Sequence, residues 1–273
     1  PALSKQILSL EKELGVILFD RNTTPLTLTA AGESFIHDAK EILFKEEELK
    51  RSMQDFKSGE KGRLVIGISP FRASYFLVDV IEKLHKKYPG LQVVLKESNS
   101  TQLQKDTIEG QVDITVMNLP VDEALLEVIP LPSEQVVLAV PKKFGDAFAG
   151  SKKLSDSEYS VVDLRSCKDI PFIALGKTQE LRILFDKLCI TAGITPNITT
   201  EVVGITTAWS LAQAEIGATV LPLSFIQGNK LCENMMIFSL ENAATVRRPA
   251  IITRKGQHIS KYAKEAIELI KNR

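Results

Sequence analysis

The residues with chemistry to offer are Ser69, Arg72, Ser98, Ser100, Thr101, Asn118, Lys177, Thr178, Gly204 and Thr206, each just beyond a short apolar run. Hydroxyls, amides and the free backbone N–H groups of helix starts supply hydrogen-bond donors, and Arg72 and Lys177 add positive charge. That set suits a small anion, a carboxylate or an inorganic oxyanion, better than it suits bond-breaking chemistry. Any one Ser or Thr also reads as a helix N-cap, so the cluster is stronger evidence than its members. Catalytic readings fail on spacing. His37, His85 and His258 are scattered without paired ligand positions, and Gly67-Ile68-Ser69 lacks the second glycine of a nucleophile elbow. No phosphate-binding loop or dinucleotide fingerprint appears. We therefore expect no catalytic residue, no metal and no cofactor beyond a small-molecule ligand.

Elements that place these residues follow from hydrophobic periodicity. After a polar, glycine-flanked break at 58–62, strands are expected at 64–68, 91–95 and 114–117, with helices at 75–88 and 102–109. This βαβαβ order predicts a parallel sheet with helices on its faces. Ligands of such sheets lie beyond the carboxyl ends of the strands, where the donor cluster falls. A second alternating set has strands at 136–140, 172–175, 199–203 and 218–221 and helices at 180–192 and 206–216. A strand at 250–253 and a helix at 260–271 close the chain.

Residues 1–32 have a different character. Ala2, Leu3, Ile7, Leu10 and Leu14 recur at helical spacing as an expected buried stripe, leaving Ser4, Lys5, Gln6, Ser9 and Lys12 outward. Gly15 ends the helix, and strands at 17–19 and 26–28 are joined by a polar turn containing Arg21. A helix followed by such a wing suits a DNA major groove and its flanking backbone, with Gln6 on a base edge and Arg21 on phosphate. From Thr29, an N-cap, a helix is expected to about residue 58. Phe35, Ala39, Ile42, Leu49, Met53 and Phe56 step by fours and threes if Glu46 fills the interrupted position, the seam of a coiled coil. At ~1.5 Å per residue this helix is about 40 Å long, more than one core needs. Packing on its own domain is the alternative to dimerisation.

Composition sets the limits. Lys plus Arg and Asp plus Glu both number 34. Within residues 1–29, Lys5, Lys12 and Arg21 balance Glu11, Glu13 and Asp20, so the nucleic-acid reading rests on pattern and not on charge. No apolar run approaches the ~18 residues of a membrane span and no signal peptide is visible, so no membrane partner is expected and the cytoplasm is the default. Cys167, Cys189 and Cys232 lack metal or disulfide-framework spacing and read as small buried hydrophobes. Trp209, at helical spacing with Ala212, reads as core, and the sequon at Asn197 means little in that compartment.

One resemblance draws these parts together. Pro1, Ala2, Leu3, Ser4 and Ile7, then 10–15 with Leu18, Phe19 and Arg21, then Leu28, Thr29, Ala31 and Gly32 resemble the second half of the LysR-type transcriptional regulator DNA-binding domain. The chain is expected to begin inside that motif, with the family's first helix missing. The run from Gly62 to Val116 is similar to the family's first regulatory subdomain. The resemblance implies a partial winged helix-turn-helix at 1–28, a dimerisation helix at 29–58, and an α/β effector domain with the two-lobed fold of periplasmic binding proteins. One lobe would take 62–137 and 249–273, and the other 138–248, with hinge crossings near Val137 and Pro249. It further implies binding to double-stranded promoter DNA through Ser4, Lys5, Gln6 and Arg21, a dimer of dimers, and an anionic effector in the post-strand loops. Some members sense oxidants through a cysteine pair, which raises the same question for Cys167 and Cys189. The rival reading, a solute-binding protein with the same cleft and no DNA role, leaves the long helix without a use.

Overall fold

Gly15 adopts φ +71°, the left-handed turn that ends helix α1 (Ala2–Leu14) and sends the chain into a two-stranded wing, β1 (Phe19–Asp20) and β2 (Thr27–Leu28). The strands pair antiparallel, Phe19 with Leu28 and Asp20 with Thr27. Helix α2 (Ala30–Phe56) follows, and the Thr29 hydroxyl caps it by accepting the Gly32 N–H at 3.0 Å. Gly32 packs against the wing so closely that a Cβ there would lie 2.0 Å from the Leu18 carbonyl oxygen. These elements form one unit, and both sheets below belong to a second. The computed structural model describes residues 2–56, 62–148, 152–153, 159–228, 233–240 and 246–273. Most of the expected linker at 58–62, together with Cys232, lies outside the described residues.

In the second unit the first lobe contains β3 (Arg63–Ile68), α3 (Pro70–Phe76), α4 (Val78–Lys87), β4 (Gln92–Glu97), α5 (Ser100–Ile108), β5 (Ile114–Asn118) and β6 (Leu126–Pro130). The chain then passes through β7 (Glu134–Pro141), β8 (Lys152–Lys153), β9 (Ser160–Val162), β10 (Pro171–Leu175), α6 (Glu180–Ala192), β11 (Asn197–Val202), α7 (Ile205–Gln213), β12 (Thr219–Pro222), α8 (Leu223–Gly228), β13 (Met235–Leu240) and β14 (Val246–Arg247). It returns through β15 (Pro249–Arg254) and ends on α9 (Lys261–Lys271).

Among the described residues the first sheet has the order β4-β3-β5-β15-β6. Its β4-β3-β5 half is parallel as expected, whereas β15 is antiparallel to both neighbours, so the returning strand is inserted between β5 and β6. Leu64, Ile66, Ile68, Leu84, Leu103 and Ile114 fill its core, each stabilising by about 1.5–3 kcal/mol on burial. In the second lobe β10 and β11 are parallel, while β7 lies in a mixed sheet, order β12-β7-β13-β9-β8. Phe172, Phe185, Trp209 and Leu221 lie in its core with Cys167 and Cys189.

The helix expected at 75–88 is divided. Leu77 ends α3 with φ −99° and ψ −6°, and its carbonyl accepts the Ile81 N–H at 2.8 Å in the first turn of α4. Two strands between the lobes lie side by side: β14 pairs with the start of β7, Arg247 opposite Glu134 and Val246 opposite Gln135. The Leu131 N–H donates to the Pro249 carbonyl at 3.0 Å, extending the pairing toward the first sheet.

Candidate functional site

In the N-terminal unit, Ser4, Lys5 and Gln6 are all exposed on α1, available to a groove. The expected apolar stripe is only partly covered: Ile7 and Leu10 are half-buried, Leu3 and Leu14 are exposed, and the Ala2 side chain lies outside the described set. The buried residue of this face is Glu11. Its carboxylate accepts the Leu18 N–H at 2.8 Å, the Phe19 N–H at 3.2 Å and the Arg21 guanidinium at 2.6 Å, fastening α1 to the wing. The backbone N–H of Leu18, above all, holds this carboxyl below its usual range, with help from Phe19 and Arg21 against the cost of burial. Arg21 is thus positioned by Glu11 and remains half exposed.

Along α2 the expected seam is uneven. Phe35 and Ala39 are half-buried, whereas Ile42, Leu49 and Met53 are 70%, 60% and 51% exposed. Glu46 pairs with Lys50 one turn on, at 2.9 Å. The Phe56 side chain lies outside the described set.

The second unit gathers its polar groups where the lobes meet. Asn118 at the end of β5 donates its Nδ2 to Glu180 Oε2 at 2.7 Å and accepts from Arg72 Nη2 at 3.1 Å. Ser100 Oγ, in the first turn of α5, donates to the other oxygen of Glu180, and Arg247 Nη2 reaches the same carboxylate at 3.2 Å. Glu180 begins α6, so side chains from β5 and α5 of the first lobe, from β14 and from the second lobe meet at one carboxylate. Burial opposes its charge, but the Ser100 hydroxyl, the Arg247 charge and the Asn118 amide outweigh it and hold the carboxyl low.

Glu134, at the start of β7, is the other acceptor. Arg72 Nη2 donates to it at 3.0 Å and Arg247 Nη1 at 3.4 Å, and the Tyr75 hydroxyl lies 3.3 Å away. Ser224 of α8 also donates to Glu134, and its oxygen lies 2.9 Å from that of Tyr75. Burial, together with the Glu134 charge, raises the Tyr75 hydroxyl pKa, keeping it a donor. Burial and the neighbouring Arg72 charge lower the Arg247 pKa, against the pull of Glu134 and Glu180. A groove of about 1010 Å³ runs beside this cluster, lined by Arg72, Tyr75, Pro132, Glu134, Leu223 and Ser224 among others.

The sequence-expected donors therefore divide. Ser100, Asn118 and Arg72 are drawn into one network; Ser69, Ser98, Thr101, Lys177, Thr178, Gly204 and Thr206 make none of its bonds. Arg72 is not the open cation expected of it, because it is buried on the inner side of α3 and a buried guanidinium needs a carboxylate partner. Lys177 and Thr178 are exposed, and the loop before α6 uses its own donors: the Gln179 amide oxygen accepts the Gly176 N–H at 2.9 Å and its Nε2 donates to the Val203 carbonyl at 2.8 Å. Glu134, Glu180, Arg247, Tyr75 and Ser224 were not foreseen. Cys167 and Cys189 are free thiols in the core, pushed up by burial to about 12 and about 11, which suppresses the thiolate needed for redox chemistry. Among the described residues no cluster of His, Cys, Asp and Glu could hold a metal, and no helix is long and apolar enough to cross a membrane.

A helix-and-wing head, a long helix and a two-lobed α/β unit with polar groups converging between its lobes define a regulator that joins DNA reading to a ligand-type fold. Residues 1–33 match the bacterial regulatory helix-turn-helix protein family of lysR type, and residues 57–273 match the LysR substrate binding domain. The chain belongs to the LysR family of DNA-binding transcriptional regulators, which are not enzymes, and the helix-turn-helix match separates it from solute-binding proteins. It is 31% identical to the uncharacterized HTH-type transcriptional regulator YcgK of Bacillus subtilis (strain 168), over 98% of this chain and 85% of YcgK. Its fold resembles a full-length OxyR variant from Pseudomonas aeruginosa, with TM-score 0.69 and 23% identity over 100% of this chain and 84% of that one. It also resembles full-length CbnR complexed with its target DNA, with TM-score 0.61 and 19% identity over 100% and 89% of the two chains.

Proposed function

We propose that this regulator is controlled by a small anionic effector bound between the two lobes of its second unit. The observation that carries the reading is the meeting of Ser100, Asn118, Glu180 and Arg247, drawn from both lobes and from β14, on one point. A ligand there touches both lobes and so biases their separation. In this reading Ser69, Ser98, Thr101, Lys177, Thr178, Gly204 and Thr206, on the post-strand loops, are the further donors offered to the effector. The paired β7 and β14 act as the hinge, dividing 62–137 with 249–273 from 138–248.

DNA is contacted by Ser4, Lys5 and Gln6 on α1, and by Arg21 on a phosphate. The exposed Ile42, Leu49 and Met53 support α2 as a dimerisation helix, which sets two recognition helices on one duplex. A dimer of dimers in the cytoplasm completes the reading, with no membrane partner and no cofactor besides the effector.

A thermal-shift screen of metabolites and oxyanions tests the effector site, since a true ligand stabilises by mass action. The expected hit loses its effect in Ser100→Ala and Thr101→Ala. A hit indifferent to both substitutions and to Lys177→Ala would place the ligand elsewhere.

A further inference from the structure

Donors expected to receive an anion already hold one. We propose that the Glu180 carboxylate is a tethered stand-in for the effector's anionic group, and that a small carboxylate or oxyanion acts on the cleft by displacing it. The inference rests on the effector-cleft reading above and adds the manner of binding.

The geometry is that of a ligand and its site. One carboxylate oxygen takes the Ser100 hydroxyl; the other takes the Asn118 amide at 2.7 Å and the Arg247 guanidinium at 3.2 Å. Ser100 and Asn118 stand at the carboxyl ends of strands in the first lobe, where α/β sheets bind ligands, whereas Glu180 enters from the second lobe. These bonds tie the two lobes together.

Charge makes displacement the economical route. The cluster contains Arg72 and Arg247 against Glu134 and Glu180, two cations and two anions. An added anion beside an unmoved Glu180 gives three carboxylates to two guanidiniums in a half-buried space, which is strongly unfavourable. Exchange for Glu180 keeps the local balance. Glu180 is free to leave: its side chain is 40% exposed, it begins α6, and no bond within its own helix holds it. Glu134 cannot exchange in this way, being 10% exposed and bonded to both arginines. Departure of Glu180 cuts the bridge to Ser100 and Asn118, so effector binding replaces a fixed closure with one whose geometry the effector sets.

The test is chemical rescue in the full chain. Glu180→Ala removes an acetate-sized fragment, and Glu180→Ser gives similar space should the first variant fold poorly. Sodium acetate is titrated against sodium chloride at equal ionic strength. Either variant should gain a saturable rise in Tm of about 3–6 °C once acetate is tenfold above its Kd. Wild type, whose place is filled, should not, nor should Glu180→Gln, which keeps the volume without the charge. Adding Asn118→Ala or Arg247→Gln to Glu180→Ala should abolish the gain. Any metabolite that binds the wild-type cleft should bind Glu180→Ala about tenfold more tightly or better, because its competitor is gone. Equal responses to acetate in wild type and Glu180→Ala overturn the proposal. If a metabolite binds wild type through Ser100 while Glu180→Ala gains nothing from acetate, displacement falls and the effector cleft stands. If acetate rescues Glu180→Ala but no metabolite binds wild type, the carboxylate site holds, while the effector reading and the displacement built on it both fall.

Discussion

Replacing Glu134 by Gln should be the most damaging single change near the cleft. The carboxylate lies 3.0 Å from Arg72 and 3.4 Å from Arg247, and the Arg72 and Glu134 side chains are only 4% and 10% exposed. The amide preserves shape and one acceptor oxygen but removes the countercharge, leaving Arg72 with only neutral acceptors, the new amide and Asn118 Oδ1 at 3.1 Å, in this network. Breaking one side of a buried pair costs about 3–5 kcal/mol, because the surviving charge stays out of water uncompensated. For a unit of this size that corresponds to a Tm lower by about 6–20 °C. Circular dichroism melts of wild type and variant measure it, and the loss should persist in high salt, which screens buried pairs little. The double variant Glu134→Gln, Arg72→Met should recover much of the loss, since removing both charges is far less costly than stranding one. A loss below about 1 kcal/mol, the range of a surface ion pair, would refute the argument.

Three further outcomes follow from the packing. Gly32→Ala sets a methyl 2.0 Å from the Leu18 carbonyl and should destabilise the head by about 1–3 kcal/mol, read from its denaturant midpoint; an unchanged midpoint would contradict the contact. Glu11 has a depressed carboxyl pKa, so its stabilisation is complete above the unfolded value of about 4.3 and is lost as pH falls through the folded value. NMR should show the Leu18 and Phe19 amides shifting together in that acid window, and the shift should vanish in Glu11→Gln. Cys167 and Cys189, at about 12 and about 11, should react with an aromatic disulfide reagent at pH 8 at least about 200-fold more slowly than in the unfolded chain; comparable rates would mean the thiols are not held in the core.

Periodicity carried the reading of the fold where strands are short and fully buried, as at 64–68 and 114–117, and it carried α6 and α7 nearly to their ends. It failed where the decisive event is in the backbone. Tyr75, Phe76, Val80 and Leu84 keep helical spacing across the break at Leu77, so α3 and α4 read as one helix. β6 was missed because it is a half-exposed segment at the sheet's edge, ending at Pro130; β13 was missed as well, and its apolar run offers no local reason for that. The antiparallel placing of β15 rests on a return across the whole chain, for which local pattern carries no signal.

The site was half legible for the same reason. Ser100 and Asn118 stand directly after strands, where donors can be sought from the pattern alone. Glu134, Glu180 and Arg247 read as ordinary solvated charges until the fold brings Asn118 and Glu180 together from 62 positions apart. Arg72 was found but misjudged, since its partner comes from the far side of β6. In α1 the leucine spacing dominates the pattern, while the residue that anchors the helix to the wing is Glu11.

In the proposed regulator the cleft and the DNA-reading head belong to one thermodynamic system. The most direct test is the affinity of the protein for its operator, by fluorescence anisotropy at fixed salt, with and without a saturating cleft ligand, alongside that ligand's Kd with and without operator DNA. Linkage requires the same factor in both directions, and a coupling of about 5–150-fold is the usual range. Equal factors that disappear in Asn118→Ala are the predicted result. A protein that binds both DNA and ligand, with neither altering the other, would contradict the account.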